Sequence, residues 1–241
     1  MSSITKPSED TGKPVVKRGV GRPRQVSLEQ IFAAASDIGL GNLTLQAVAD
    51  TLGVTPQALY HHVKGREDLI AQVVAAVTER FPVQPYTGEG WSSWAVSFAH
   101  ALLEMYAAVP GLADYTIRRT HTGYNVLIRH EMSIKAARQS GFDEVGALYA
   151  TRAIVEFVAG WVARSERRNV TERELEIHPD LEFRQSVLDN KDDQYPELKK
   201  SLQAAGDLEP SHRFDYTLRA LIFGLENNMA ISASQQTQAG P

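Results

Sequence analysis

Between Thr55 and Arg66 the chain reads TPQALYHHVKGR, a cluster of side chains suited to touching a nucleic acid. Thr55, Gln57, Ala58 and His61 fall in the N-terminal half of a predicted short helix. That half meets base edges when such a helix enters the major groove. Glutamine bonds adenine through N6 and N7, and the Thr and Ala methyls suit the thymine methyl. Tyr60, His62, Lys64 and Arg66 are donors suited to phosphates, which fix register without reading sequence. Thr44 and Gln46, at the head of the preceding predicted helix, complete the DNA-facing set. No arginine begins the second helix, so direct reading of guanine from that position is expected to be weak. The competing reading is an ordinary helical hairpin with a solvated polar face. His61 and His62 also suggest a metal, but adjacent helical positions point about 100° apart and no third ligand follows at a suitable spacing. No metal is assigned.

The elements that must hold these residues are legible in Leu43–Arg66, LTLQAVADTLGVTPQALYHHVKGR. Thr44 is placed to cap a helix whose apolar face is Leu45, Val48, Ala49 and Leu52. Gly53 follows where a left-handed cap wants glycine. Thr55 is placed to cap again, with Pro56 at the first helical position, where its missing N–H costs nothing. Leu59 and Val63, four apart, are predicted to pack inward. Helix, short Gly-containing turn, helix is the helix-turn-helix arrangement.

The charge distribution agrees. The chain carries a net −4, yet residues 1–66 hold eight basic and five acidic residues, and the remainder holds 17 and 24. A polyanion is drawn to the N-terminal quarter and repelled elsewhere. The arm KRGVGRPRQ, with Arg22 and Arg24, has the basic, glycine-containing composition of peptides that enter an A·T-rich minor groove. The alternative is a solubilising tail. There is no cysteine, so disulfides, cysteine nucleophiles and cysteine-ligated zinc are excluded. No apolar run approaches the roughly 20 residues that span a bilayer, and no apolar signal core opens the chain. A cytoplasmic, non-membrane protein is expected.

The pattern along the chain is all-α. An arm over residues 1–25 precedes a helix-turn-helix domain over 26–81, which includes a connecting fourth helix ended by Pro82 and Pro85. A helical domain over 82–232 and a flexible tail over 233–241 complete the expected organisation, with about nine or ten helices in all. Predicted helices span Trp91–Val109, Leu112–Arg119, His121–Gln139 and, capped by Asp143, a long one to about Arg168. A charged connection over 169–200, with one helix expected around Leu181–Leu188 and room for another around Pro196–Ala205, and a last helix from Ser211 follow.

The segment from Gly21 to Ile70, GRPRQVSLEQIFAAASDIGLGNLTLQAVADTLGVTPQALYHHVKGREDLI, resembles the N-terminal domain of TetR-family transcriptional repressors. GFDEVGALYATRAIVEFVAGWVARSERR resembles the long eighth helix of the tetracycline-repressor class, and FDYTLRALIFGLENNM its tenth. The resemblance implies a homodimer on a palindromic DNA operator, with Val155, Ala159 and Val162 on one helix and Leu218, Leu221, Ile222 and Leu225 on the other forming a four-helix interface. It also implies a cavity for a small-molecule inducer, lined by Trp94, Phe98, Leu102, Tyr115, His121, Tyr124, Phe157 and Trp161, with Arg164 nearby.

The chain departs from that class where tetracycline and magnesium would be held. Phe81–Pro82 stands where a histidine would close the fourth helix, Tyr115 where a second histidine is expected, and Arg164 where an acid is expected. Magnesium wants oxygen ligands and negative charge, so neither tetracycline nor a metal is carried over, and no cofactor is expected. An aromatic or apolar inducer fits better. Two rival functions stay open: an activator of the same fold, and a helical enzyme. His130–Glu131 begins a zinc-protease HExxH pattern, but Ile134 occupies the second histidine position, and neither a Gly-rich phosphate loop nor a GxSxG elbow is present.

Overall fold

The structure, a computed structural model, describes residues 26–118, 124–175, 179–190, 194–205 and 210–238. Eleven α-helices and no strand occupy these residues. The count passes the expected nine or ten because two segments of the charged stretch beyond residue 175 are both helical.

Three short helices and the start of a fourth make the N-terminal head. Ser27 opens α1 (Leu28–Ile38) with a capping box: the Gln30 N–H donates to Ser27 Oγ at 3.3 Å and the Ser27 N–H to Gln30 Oε1 at 3.0 Å. Two backbone donors that the helix leaves orphaned are thereby satisfied. α2 (Leu45–Leu52) is capped by Thr44, whose Oγ1 accepts from the Ala47 N–H at 3.0 Å, and it ends at Gly53 in the left-handed conformation, φ 65° and ψ 35°. α3 (Pro56–Leu59) is a single turn with Pro56 at its start. α4 (Arg66–Arg80) carries Glu67 and Asp68 in its first turn, where the helix dipole favours acids, and ends at Phe81.

The larger helical domain contains α5 (Trp91–Ala107), α6 (Leu112–Arg118), α7 (Tyr124–Gln139), α8 (Glu144–Leu175), α9 (Pro179–Leu188), α10 (Pro196–Ala205) and α11 (Pro210–Gln238). Asp143 caps α8 as expected, its Oδ1 accepting the Gly146 N–H at 2.6 Å. α8 runs past Arg168 to Leu175, with no glycine or proline between Arg168 and Pro179 to stop it. α11 likewise passes residue 232, the expected domain end, and continues to Gln238.

α8 is the central pillar, packed against α5, α6, α7 and α11. Its first part, Glu144–Asn169, is by length and composition apolar enough to cross a bilayer, which corrects the expectation that no such run exists. Its inward stripe of Ala147, Ala150, Ile154, Val158 and Val162 is buried in the bundle. The buried apolar side chains of head and bundle form one continuous core, to which α4 contributes Leu69, Ile70, Val73, Val74 and Val77.

Candidate nucleic-acid interface and sensor interior

α3 is held by its buried side and displays the other. Leu59 is fully buried and Val63 nearly so, as their spacing predicts. Thr55, Gln57, Tyr60, His61 and Lys64 are exposed, and Ala58 and His62 half-buried. Gln46 is exposed on α2, its amide donating to Asp50 Oδ1 at 2.7 Å, and Thr44 is exposed beside it. The turn thus brings the expected set to one end of the head, apart from Arg22 and Arg24, which lie outside the described residues.

Two local expectations are corrected. Thr55 is the residue before α3, but its side chain makes no capping hydrogen bond, so Pro56 alone favours that start. The helix is also shorter than predicted. His62 and Val63 still donate to Leu59 O, at 2.8 and 3.0 Å, but the Lys64 N–H turns to Asp68 Oδ2 at 2.7 Å and the regular ladder stops.

Arg66, expected at the phosphates, also has partners inside the head. Its Nε donates to Leu43 O at 2.9 Å and its Nη2 to Leu40 O at 3.3 Å, so the guanidinium ties α4 to the chain between α1 and α2. Gln72 plays a similar part, donating to His62 O at 2.8 Å. A cleft of about 520 Å³ opens on the head beside these groups, lined by Leu28, Phe32, His61, His62, Gln72 and Glu79 among others.

Two seams join the head to the bundle. At the first, the Leu40 N–H donates to Pro110 O at 2.7 Å. Gly39 makes this approach possible: its φ is 76°, and a Cβ there would sit 3.1 Å from Pro110 O. The Gly111 N–H donates to the Glu166 carboxylate, 3.2 Å to Oε1 and 3.1 Å to Oε2, and burial raises the Glu166 pKa despite that bond. At the second seam, Arg129 of α7 grips the end of α4. Its Nη2 donates to Thr78 O at 3.0 Å and to Phe81 O at 2.5 Å. Its Nε and Nη1 are buried and have no partner among the described residues.

The expected sensor residues divide into two packed groups. Trp94, Phe98 and Leu102 are buried on α5; the Trp94 and Phe98 rings stack at 5.1 Å and Trp94 Nε1 donates to Gln84 O at 2.9 Å. Phe157 and Trp161, half-buried on α8, close on Phe214 of α11, each with centroids 5.4 Å from it. Tyr115 is half-buried on α6. His121 lies outside the described residues, and of Tyr124 only the backbone, opening α7, is described. Arg164 is exposed: two residues past buried Val162, it points about 200° around the helix, away from the bundle. The arginine inside is Arg129, which the sequence reading missed. Its signal was available, since Val126, Arg129, Ser133 and Ala136 share the inward stripe of α7.

The expected dimer residues need a similar correction. Ala159, Val162, Leu218 and Ile222 are buried within their own subunit, Val155 and Leu225 are half-buried against the same core, and Leu221 is half-buried. The exposed apolar side chains are instead Val145, Leu148 and Tyr149 on α8, and Tyr216 and Phe223 on α11, the last two 79% and 68% exposed. Both helices are apolar on two faces, and periodicity alone does not say which face the subunit uses.

Residues 84–229 match the family described as tetracyclin repressor-like, C-terminal domain, and residues 28–73 match bacterial regulatory proteins, tetR family. The tetracycline repressor protein class D of Escherichia coli is 23% identical over 209 residues, covering 84% of this chain and 88% of the relative. An HTH-type transcriptional regulator of Saccharopolyspora erythraea is 26% identical over 207 residues, covering 82% and 83%. Among solved structures, apo ActR of Streptomyces coelicolor superposes with a TM-score of 0.69 at 20% identity, over 88% of this chain and 100% of that one. ActR in complex with actinorhodin gives 0.69 at 23% identity, over 85% and 97%.

Proposed function

This chain belongs to the TetR family of bacterial transcription regulators, and from that premise we propose that it is a repressor rather than an enzyme. It acts in the cytoplasm as a homodimer on a palindromic operator and is released by a small-molecule inducer. The observation that carries this reading is α3, a turn anchored by Leu59 and Val63 with polar side chains on its open side. Gln57, Ala58, Thr55 and His61 read bases; Tyr60, His62, Lys64, Thr44 and Gln46 hold phosphates. Arg22 and Arg24 reach the minor groove. Arg66 acts by positioning α4.

The exposed stripes of α8 and α11 join two copies through Val145, Leu148, Tyr149, Tyr216 and Phe223. A symmetric dimer sets two α3 turns on one face, as reading a palindrome requires. That ActR is known with actinorhodin bound supports a small-molecule signal, and the aromatic lining of the bundle supports an aromatic or apolar one without a metal.

The test is a gel shift with DNA from upstream of the chain's own gene. A shift confined to a palindromic fragment, weakening steeply as salt rises, is expected. No specific shift on any genomic fragment at low salt would overturn the reading.

A further inference from the structure

Arg129 of α7 is 6% exposed, between the end of α4 and Tyr106 of α5. One nitrogen, Nη2, serves the two carbonyls that end α4, the usual task of a basic side chain at a helix C-terminus. Capping does not account for the rest of the group. Nε and Nη1 are buried with no acceptor among the described residues, and no acid of those residues acts on the charge. The titratable neighbour that does is the Tyr106 phenol, itself 2% exposed and paired with the Thr116 side chain. Burial pushes Tyr106 up to about 12, so at neutral pH it is an uncharged hydroxyl that leaves the guanidinium uncompensated. A buried charge is kept at a cost, and it is ordinarily paired.

We propose that Arg129 is the anchor for an anionic oxygen of the inducer, a carboxylate or phenolate on an aromatic or apolar body, with the Tyr106 and Thr116 hydroxyls as accessory partners. This rests on the ligand-released regulator reading and names the class of ligand. The same geometry supplies the coupling. The guanidinium that receives the anion also holds Thr78 O and Phe81 O, and Asn125 of α7 donates to Ala75 O on the same helix at 3.4 Å. An anion on the unused Nε and Nη1 pulls on the same guanidinium whose Nη2 holds those carbonyls, so its affinity differs between α4 held by Arg129 and α4 released from it. A ligand shifts a conformational equilibrium by that difference alone.

The test uses the full chain and two probes of one shape, 2-naphthoate and the uncharged 2-naphthamide. In thermal melts the carboxylate is expected to raise the midpoint by several degrees at millimolar concentration, and the amide by less than a third as much. Arg129→Gln keeps a donor for the α4 carbonyls, drops the charge and abolishes the difference; Arg129→Lys keeps the charge and part of the difference. Should the Gln variant not fold, ¹⁵N NMR of arginine side chains in the wild-type chain decides. One Nε resonance, absent from Arg129→Lys, is expected to move with naphthoate and stay with naphthamide. Equal shifts for both probes, no shift with either, an undiminished naphthoate preference in Arg129→Gln, or an unmoved Nε resonance each overturn the assignment. DNA retention without any probe is scored separately. Its loss overturns the regulator reading, whereas its presence with no naphthoate preference overturns the role of Arg129 alone.

Discussion

The head closes on itself and the bundle does not. From Ser27 to Gln72 the polar groups that hold the helices together find partners nearby. Ser27 and Gln30 cap each other, Thr44 caps α2, Asp68 takes the Lys64 N–H, and Arg66 and Gln72 answer the carbonyls of Leu40, Leu43 and His62. In the bundle, α8 and α11 leave Tyr149, Tyr216 and Phe223 in solvent, and α7 buries an arginine with unused donors. Apolar side chains grouped on one face and a buried charge without its counter-charge are the marks of a unit completed by something else. The contrast matches a division of labour in which a rigid head is carried unchanged and the bundle responds.

The largest effect should come from denying the bundle its second copy. Phe223→Arg places a charge in the middle of the α11 stripe, and two-fold symmetry places it there twice. The expected outcome is a monomer by analytical ultracentrifugation, with operator affinity lower by about 10²–10⁴-fold because two linked heads become one. The exposed position of Phe223 predicts a melting temperature of the isolated subunit near wild type. A variant that stays dimeric would show that the subunits meet elsewhere.

How much of this was legible in the sequence follows the same divide. The caps at Thr44 and Asp143 and the left-handed Gly53 act over three or four residues, so residue type and spacing suffice to place them. Leu59 and Val63 were placed by their period. The bonds of Arg66 were not legible because its partners are 23 and 26 residues away, and nothing local distinguishes a basic residue facing a carbonyl from one facing a phosphate. Arg164 was placed beside the cavity and Arg129 was missed for a related reason. Each follows three apolar residues and precedes polar ones, yet Arg164 points outward and Arg129 points in. Ala159, Val162, Leu218 and Ile222 are apolar residues on helices apolar on two faces, and only the packing of the whole subunit separates core from interface.

A pair of substitutions on the head separates holding DNA from holding the head, with a smaller effect than loss of the dimer. Arg66→Ala removes a charged donor from two carbonyls, a loss of about 1.5–3 kcal/mol on the usual scale for such bonds. It should lower the melting temperature while the salt dependence of the remaining DNA binding keeps its slope. Lys64→Ala should leave the melting temperature unchanged, weaken binding to all sequences alike, and reduce the slope of log affinity against log salt by about one. If the two patterns were exchanged, Arg66 would be the phosphate ligand after all and the head would be less self-contained than its hydrogen bonds indicate.

The smallest effect sits at the first seam. Glu166 accepts the Gly111 N–H from α8, and burial is the first cause of its raised pKa; Asp114 adds to the rise, while the Gly111 bond and Arg167 oppose it. A carboxyl whose folded pKa lies above the ordinary 4.5 binds its proton more tightly in the native state. Stability therefore falls as pH rises from 4.5 through the folded value. Glu166→Gln keeps an acceptor for Gly111 and cannot ionise. Paired melts of the two proteins cancel every other titrating group, and the variant should gain on wild type between pH 4 and pH 7, by an amount that solvent access to the half-buried carboxyl keeps small. A difference that moves in favour of wild type as pH rises would mean that the ionised carboxylate is the form the seam prefers, and that Gly111 and Arg167, not burial, set its charge.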